Sequence, residues 1–249
     1  MNEQGPIIAV IVARAGSRGV PGKNIALVGG RPCIAWTIDA VQQCPNIKDV
    51  VVTTDDQTAR QLAASMGTEV VDRPAELATD SARVDDAVRH CVERYELHHT
   101  QIRAVVILYA NVPVRPDGLI ERAVALFCKS RCDSVQSYSP VGKHHPWWTA
   151  RIDGEQTVAA WEEGAVLNHG VYRRQDLPPA YVPDGGVLVV SREALLERVP
   201  GVPRGPHAFF GKVRKGIINP EGSVVDIDTP IDLIVADTLL RQPSRSVAA

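Results

Sequence analysis

The sequence carries no large excess of charge of either sign. Its 249 residues carry a formal net charge of -2 when the histidines are neutral. A nearly neutral surface attracts neither nucleic acid nor an anionic membrane, so the composition argues against a general binder of either kind. Any cationic binding site must therefore be local.

Cysteine pairs and long apolar runs are missing as well. The five cysteines form an odd set without a Cys-x-x-Cys motif, which favours reduced, buried thiols over a zinc site or a disulfide framework. The apolar run at residues 7–13 is far too short to span a bilayer, and no basic segment precedes it. We therefore expect a soluble, cytoplasmic protein with no membrane or nucleic-acid partner.

Strand and helix patterns alternate through the first 140 residues. Apolar, β-branched segments predict strands at 7–13, 49–55, 69–72, 104–109 and 133–138, and helical periodicity predicts helices between most of them. This alternation predicts an α/β fold of three layers, with a doubly wound, mostly parallel sheet of the Rossmann-like type. We expect one domain over residues 1–249, with its ligands at the carboxyl ends of the strands.

The second half of the chain is less regular. Residues 140–183 lack a periodic pattern, and so long an irregular stretch is typical of a functional excursion or an oligomer arm. Beyond it the sequence predicts extended segments at 186–191, 212–219 and 223–227. Helices are predicted after the first of these segments, as far as residue 199, and from residue 230 to 240.

The loop after the first predicted strand suits a polyphosphate. Residues 13–24 read Ala-Arg-Ala-Gly-Ser-Arg-Gly-Val-Pro-Gly-Lys-Asn. The glycines let backbone N–H groups approach a ligand closely, and Arg14, Arg18 and Lys23 add three positive charges. The alternative interpretation of the loop alone is a solvated basic turn between a strand and a helix.

Two familiar phosphate-binding motifs do not fit this loop. A P-loop requires glycine where Ser17 stands, and Ser or Thr where Asn24 follows the lysine. The dinucleotide-binding fingerprint fails because the glycines fall at the wrong spacing. The loop therefore indicates anion binding by a different arrangement.

Two aspartates near the carboxyl terminus form the second candidate site. Asp226 and Asp228 follow an apolar pair that reads as a strand, which would place both carboxylates on the same side of the pleat. Such a pair can hold Mg²⁺ and leave coordination positions for waters and phosphate oxygens. In isolation the same residues could equally be a helix N-cap and an unrelated acid.

The order of residues in the 13–24 loop resembles the opening of the CMP-sugar cytidylyltransferases, the CMP-sialic acid synthetase family. Both have Ala-Arg, a Gly/Ser-rich turn, Pro, one residue and Lys-Asn. Further motifs follow in the family's order at residues 73–80, 108–115 and 173–186, and at the Asp-x-Asp of residues 226–228. The resemblance spans residue 7 to about residue 239.

This resemblance implies a nucleotide-diphospho-sugar transferase-like fold and CMP transfer from CTP. The acceptor would be the anomeric hydroxyl of an acidic sugar, a nonulosonic acid related to sialic acid, and pyrophosphate would be released. The nucleotide would be bound by Arg14, Ser17, Arg18, Lys23, Asn24 and, near the cytosine, Arg73. Mg²⁺ would be held by Asp226 and Asp228, which with Arg14 and Lys23 would carry catalysis. No side chain identifies itself as the general base.

The sugar side is where the sequence departs from the family. Residues 108–115 read Leu-Tyr-Ala-Asn-Val-Pro-Val-Arg, where sialic-acid synthetases have Leu-Gln-Pro-Thr-Ser-Pro-Leu-Arg. Tyr109 replaces a glutamine that faces the sugar, so we expect the acceptor not to be plain N-acetylneuraminic acid. Asp184 replaces an asparagine, and Val84 stands where a serine is common. The predicted sugar-binding residues are Tyr109, Asn111, Arg115, Lys143, Arg174, Tyr181 and Asp184.

The resemblance also implies a homodimer. In the family the excursion before the 173–186 motif forms a dimer arm, from which a lysine and an arginine reach the partner's site; Lys143 and Arg174 match them. Two alternatives remain open. The chain could be a nucleotidyltransferase of the same fold with another acceptor, such as Kdo or a molybdenum cofactor. It could also be an inert nucleotide-binding protein, although retention of Lys23, Asp226 and Asp228 speaks against that.

Overall fold

The core of the fold is a seven-stranded sheet, seen in a computed structural model that describes residues 5–16 and 19–242. Some strands of the described residues lie outside this sheet, in two-stranded pairs. In chain order the strands are β1 (Ile7–Ala13), β2 (Leu27–Val28), β3 (Arg31–Pro32), β4 (Val50–Thr54), β5 (Glu69–Asp72), β6 (Ala104–Tyr109), β7 (Ser134–Pro140), β8 (Ala150–Ile152), β9 (Val158–Ala160), β10 (Tyr181–Ser191) and β11 (Arg214–Ile218). The helices are α1 (Cys33–Gln42), α2 (Gln57–Ser65), α3 (Val84–Glu96), α4 (Leu119–Lys129), α5 (Arg192–Leu195) and α6 (Pro230–Arg241).

The strand order of the main sheet is β11-β7-β10-β6-β1-β4-β5. Neighbouring strands are parallel except for β10, which pairs antiparallel with both β6 and β7. The predicted α/β fold with a mostly parallel sheet is therefore confirmed. The carboxyl ends of β1, β4 and β6 meet at one edge, which is where ligands gather in such sheets.

Both faces of the sheet are covered, which gives the three predicted layers. Along β1 every residue is buried, as expected for a strand enclosed on both sides. Ile7, Ala9 and Ile11 pack in a cluster with residues of α1 and α4, whereas Ile8 and Val10 pack in a second cluster with residues of α3 and α5. Burial of each of these isoleucine and valine side chains contributes roughly 1.5–3 kcal/mol.

The stretch from residue 140 to residue 183 contains only short elements between the ends of β7 and β10. They are 3-10 turns and a two-stranded ribbon in which β8 pairs antiparallel with β9. Large apolar side chains are exposed along this excursion, including Ile152, Trp161, Val166 and Tyr172. The excursion therefore presents apolar surface to its surroundings.

Two predicted elements differ in the structure. The segment at 223–227 is not a strand: it forms one isolated bridge, between Val225 and Val114. Val225 and Ile227 instead pack in a small cluster with residues of α6, so their hydrophobicity reflects that burial and not a sheet ladder. The helix predicted to reach residue 199 ends at Leu195, and the backbone at Glu197 then turns through a positive φ of 54°. None of the helices within the described ranges combines the length and apolar character needed to cross a bilayer.

Candidate functional site

A cavity of about 600 Å³ lies at the carboxyl ends of β1 and β6. Residues from the two ends of the chain contribute to its wall. Among the residues predicted for the site, those that line it are Arg14, Lys23, Asn24, Arg73, Tyr109, Asn111, Asp226 and Asp228. The structure thus brings the cationic loop and the acid pair together around one space.

The loop after β1 is held by hydrogen bonds at its base. The Thr54 hydroxyl donates to the carbonyl of Ala13 at 2.5 Å, and the Ala15 N–H donates to the Asp55 carboxylate at 2.7 Å. Asn24, which is buried, donates through Nδ2 to the carbonyl of Arg14 at 2.9 Å. These bonds anchor the described ends of the loop. Ser17 and Arg18, predicted to bind the nucleotide, lie outside the described residues.

The loop touches the acid-bearing segment directly. A side chain at Gly19 would place its Cβ 2.0 Å from the carbonyl oxygen of Asp228, so only glycine allows this approach. Lys23 Nζ lies 2.6 Å from Asp228 Oδ1. The lysine side chain is only 15% exposed, whereas that of Asp228 is 68% exposed. The ion pair therefore joins a largely enclosed cation to a carboxylate that remains open to the cavity.

A second ion pair crosses the cavity mouth. Arg14 Nη1 lies 2.8 Å from Asp80 Oδ1, which ties the cationic loop to the loop between β5 and α3. Within that second loop, Arg73 is buried and donates from Nε to the carbonyl of Leu77 at 2.6 Å. Burial lowers the pKa of Arg73, and the nearby charge of Arg14 adds to this effect against the opposing influence of Asp55. Asp80 and the carbonyl of Leu77, both in that loop, thus hold the two arginines at the cavity.

The acid pair is electrostatically strained without a ligand. Burial, and then the neighbouring charge of Asp228, raises the pKa of Asp226 from an ordinary value of 3.8 to about 6, although Lys23 opposes the shift. Within the described residues no cluster of three or more His, Cys, Asp or Glu side chains could hold a metal ion. A divalent cation at this pair would therefore take two carboxylates from the protein, which is the sparse ligand set typical of Mg²⁺.

The raised pKa of Asp226 predicts a pH-dependent stability. The folded protein holds this proton more tightly than the unfolded chain does, so the contribution of Asp226 to the free energy of unfolding falls as the pH rises from about 4 to about 6. Asp226→Asn cannot ionise and should exceed the wild type by about 1–2 kcal/mol at pH 7, allowing for partial exposure. Urea unfolding from pH 4 to pH 7, without divalent cations, checks this. A difference that stays constant with pH would contradict it.

Arg115 is not among the residues that line this cavity. Its guanidinium donates to the carbonyls of Gly186 at 2.7 Å and Tyr109 at 3.1 Å, and to the Thr37 hydroxyl at 2.9 Å. Burial lowers its pKa to about 10, and it lines a separate, smaller cavity. The structure thus places Arg115 as a brace between β6, β10 and α1.

The remaining residues predicted for the sugar lie on or beside the excursion, away from the cavity lining. Lys143 is exposed on a 3-10 turn, Tyr181 begins β10, and Arg174 Nη2 pairs with Glu221 Oε2 at 2.7 Å. The Asp184 carboxylate accepts hydrogen bonds from within the sheet, including one from Asn219 Nδ2 at 2.7 Å. Its other donors are the hydroxyls of Ser137 and Ser139 and the N–H of Gly186.

Asp80 is a cavity residue that the sequence argument did not assign to the site. It lines the cavity and pairs with Arg14. The feature of the sequence that could have identified Asp80 is its position at the end of the Arg-Pro-Ala-Glu-Leu-Ala-Thr-Asp motif. Asp55, which holds the cationic loop, could similarly have been found as the first acid after the β4 strand.

Comparison with known proteins matches this arrangement to one family. A sequence profile described as cytidylyltransferase matches residues 8–146. The N-acylneuraminate cytidylyltransferase of Streptococcus agalactiae serotype V is 33% identical over 229 residues, which cover 91% of this chain and 51% of the relative. The chain therefore spans about half the length of that relative. The CMP-N,N'-diacetyllegionaminic acid synthase of Legionella pneumophila is 30% identical, and the match covers 94% of this chain and 96% of the relative.

A solved structure supports the fold independently of sequence. The structure of CMP:2-keto-3-deoxy-manno-octonic acid synthetase complexed with CTP matches with a TM-score of 0.68. The match covers 94% of this chain and 98% of that one, at 16% sequence identity. At this identity the likeness speaks for the fold alone, and it confirms the predicted nucleotide-diphospho-sugar transferase-like architecture.

Proposed function

This chain belongs to the cytidylyltransferase family, and from that premise we propose that it transfers CMP from CTP to the anomeric hydroxyl of a nonulosonic acid, releasing pyrophosphate. One observation carries the proposal: Lys23 of the cationic loop and the Asp226–Asp228 pair line the same cavity. A magnesium triphosphate needs both kinds of group within reach of one another.

The protein's main tasks in this reaction are neutralising charge and aligning the reactants. A triphosphate repels an approaching sugar oxygen, so cations at its oxygens lower the barrier to attack on the α-phosphorus. Arg14 and Lys23 supply these charges, and the backbone N–H groups of the glycine-rich loop add fixed dipoles. Because Arg14 is paired with Asp80 and Lys23 with Asp228, both cations are already oriented before CTP binds.

Asp226 and Asp228 would hold the Mg²⁺ ion of the substrate complex. When bound, the ion would offset the negative charge that develops on the phosphate oxygens. The two carboxylates fit this task because they lie together at a cavity, where burial and then the repulsion from Asp228 raise the pKa of Asp226. A cation relieves that repulsion.

The cytosine would lie against the loop that carries Arg73. The wall here also includes Ala82 and Val84, and Val84 is the first residue of α3. Cytosine differs from uracil by an amino group and an N3 acceptor, which an arginine and backbone carbonyls can distinguish.

A nucleotide and acceptor panel tests the proposed reaction. Pyrophosphate release should require CTP over UTP, GTP and ATP, together with a nonulosonic acid, and mass spectrometry should find the CMP-linked sugar. Kdo and a molybdenum cofactor precursor belong in the same panel. Turnover with either of these but with no nonulosonic acid would show that the acceptor belongs to another class of compound. Failure with every pair would leave an inert binding protein.

Tyr109 is proposed to set the choice of acceptor. Its ring lines the cavity, and burial raises the pKa of its phenol, so the group remains a neutral hydrogen-bond donor. We expect Tyr109→Gln to change the kcat/KM ratio between N-acetylneuraminic acid and the preferred acid roughly tenfold, with little change in the KM for CTP. Tyr109→Phe is the matched control for the ring without the hydroxyl. Equal ratios in all three proteins would exclude Tyr109 from acceptor selection.

A homodimer is also part of the proposal. The exposed apolar side chains of the excursion, among them Trp161 and Tyr172, are of the kind that interfaces bury. In such a dimer Lys143 and Arg174 would reach the partner's cavity. Sedimentation should give twice the 27.0 kDa of one chain, and Trp161→Asp with Tyr172→Asp should shift it to one chain. A monomeric wild type would contradict this.

The proposed compartment is the cytoplasm. Each of the five cysteines is unpaired, and four of them are buried. Unpaired thiols suit a reducing compartment. Fractionation of cells that express the chain would test this location.

A further inference from the structure

The acid pair depends on the segment after β6 for its position. Since residues 223–227 are not part of the sheet, a strand ladder does not hold Asp226. Two backbone bonds do so instead: the Val225 N–H donates to the carbonyl of Val114 at 3.2 Å, and the Ile227 N–H donates to that of Asn111 at 2.9 Å. The residues from Asn111 to Val114 therefore support the acid-bearing segment on both sides of Asp226.

Asn111 adds side-chain bonds to this support. Its Nδ2 donates to Asp226 Oδ1 and also to the carbonyl of Ile227 at 3.2 Å. An amide nitrogen carries two hydrogens, so these bonds occupy both of its donors. An ionised carboxylate can only accept, which requires the nitrogen of the amide to face Asp226.

The backbone next to Asn111 is itself held by hydrogen bonds from α1 and from Arg115. The residue is 8% exposed, and the carbonyl of the adjacent Val112 accepts from the Thr37 hydroxyl at 3.2 Å and from Arg115. Arg115 also binds the carbonyl of Tyr109 at the end of β6. A fixed donor beside a carboxylate can hold it in one orientation, whereas the repulsion from Asp228 would otherwise turn it away.

We propose that Asn111 is a positioning residue for Asp226: its amide nitrogen holds the carboxylate toward the cavity, where Asp226 and Asp228 take a divalent cation. The inference rests on the proposed function. It narrows the expectation that Asn111 contacts the acceptor sugar, because both amide donors are bound within the protein and only Oδ1 is left to accept from a ligand. Residues around a metal ligand commonly control its affinity in this way.

A matched pair of variants tests the role of the donor. Threonine and valine have nearly the same shape, but only threonine keeps a group that can donate to Asp226. Mn²⁺ binding to the full chain without nucleotide is measured by the loss of the free Mn²⁺ signal in electron paramagnetic resonance. We expect Asn111→Val to weaken binding about tenfold or more, and Asn111→Thr to restore most of the affinity. Thermal unfolding in the absence of Mn²⁺ checks that both variants fold alike.

An Asp226→Ala variant, measured in the same Mn²⁺-binding experiment, separates this inference from the proposed function. Loss of Mn²⁺ binding in Asp226→Ala, together with wild-type affinity in Asn111→Val, would overturn the positioning role alone. Equal losses in the threonine and valine variants would also overturn it, because the donor would then not matter. Undiminished binding in Asp226→Ala, or no measurable binding to the wild type, would remove the acid pair as the cation site and the inference with it.

Discussion

Asp228→Ala is expected to reduce kcat for pyrophosphate release by roughly 10³-fold while leaving the fold intact. The Asp228 side chain is 68% exposed and lines the cavity, so its removal opens no hole in the core. Lys23 loses its partner, but Asp226 is freed from the repulsion of a second carboxylate, and these effects oppose one another. The free energy of unfolding should therefore change by less than about 1 kcal/mol. Steady-state kinetics and urea unfolding measure the two quantities.

The matched control for this variant is Asp237→Asn. Asp237 is an acid of α6 that accepts from Arg241 and from the N–H of Gly29, and it does not line the cavity. Its replacement should leave kcat within about twofold, because the charge it removes is screened from the reacting phosphates. Near-normal turnover by Asp228→Ala would remove that residue from the catalytic group.

Lys23→Met is expected to lower kcat/KM for CTP by roughly 10²–10³-fold. The lysine is largely enclosed, and its ammonium lies 2.6 Å from Asp228, so a neutral side chain leaves both the acid pair and the incoming triphosphate without this charge. Lys23 also opposes the rise in the pKa of Asp226. The acidic limb of the pH–rate profile should therefore move to higher pH in the variant, because the Asp226 carboxyl then ionises at a higher pH.

Lys23→Arg and Lys48→Met complete that experiment. Arginine keeps the charge but not the shape of the ammonium, so partial activity is expected. Lys48 is exposed and precedes β4, at the opposite end of the strand from the cavity, and its loss should change neither rate nor pH profile. An unaltered pH profile in Lys23→Met would show that the lysine does not act on Asp226.

The sequence was sufficient for the elements whose hydrophobic pattern is local. β5 and β6 end where the runs at 69–72 and 104–109 end. The placement of β10 between β6 and β7 could not be read in this way, because antiparallel insertion depends on contacts distant in sequence. The 223–227 segment was misjudged because burial against α6 and burial in a sheet require the same apolar residues.

The site was predictable as a set of residues but not as a set of bonds. Motif order brought Lys23 and Asp228 into one hypothesis, and they lie 2.6 Å apart. The same motifs suggested that Arg115 and Asp184 contact the sugar, whereas both are engaged in hydrogen bonds within the protein. A resemblance identifies residues that recur together, and only the packed chain shows which of them already have partners.

A crystal structure with CTP and Mn²⁺ would show whether the two ends of the chain share one metal–triphosphate site, because manganese gives an anomalous signal that locates the ion without reference to the protein chain. We expect one manganese peak between the carboxylates of Asp226 and Asp228, with the triphosphate against Lys23 and Arg14 and the cytosine beside Arg73. A manganese peak away from both aspartates, or a triphosphate bound outside this cavity, would contradict this expectation.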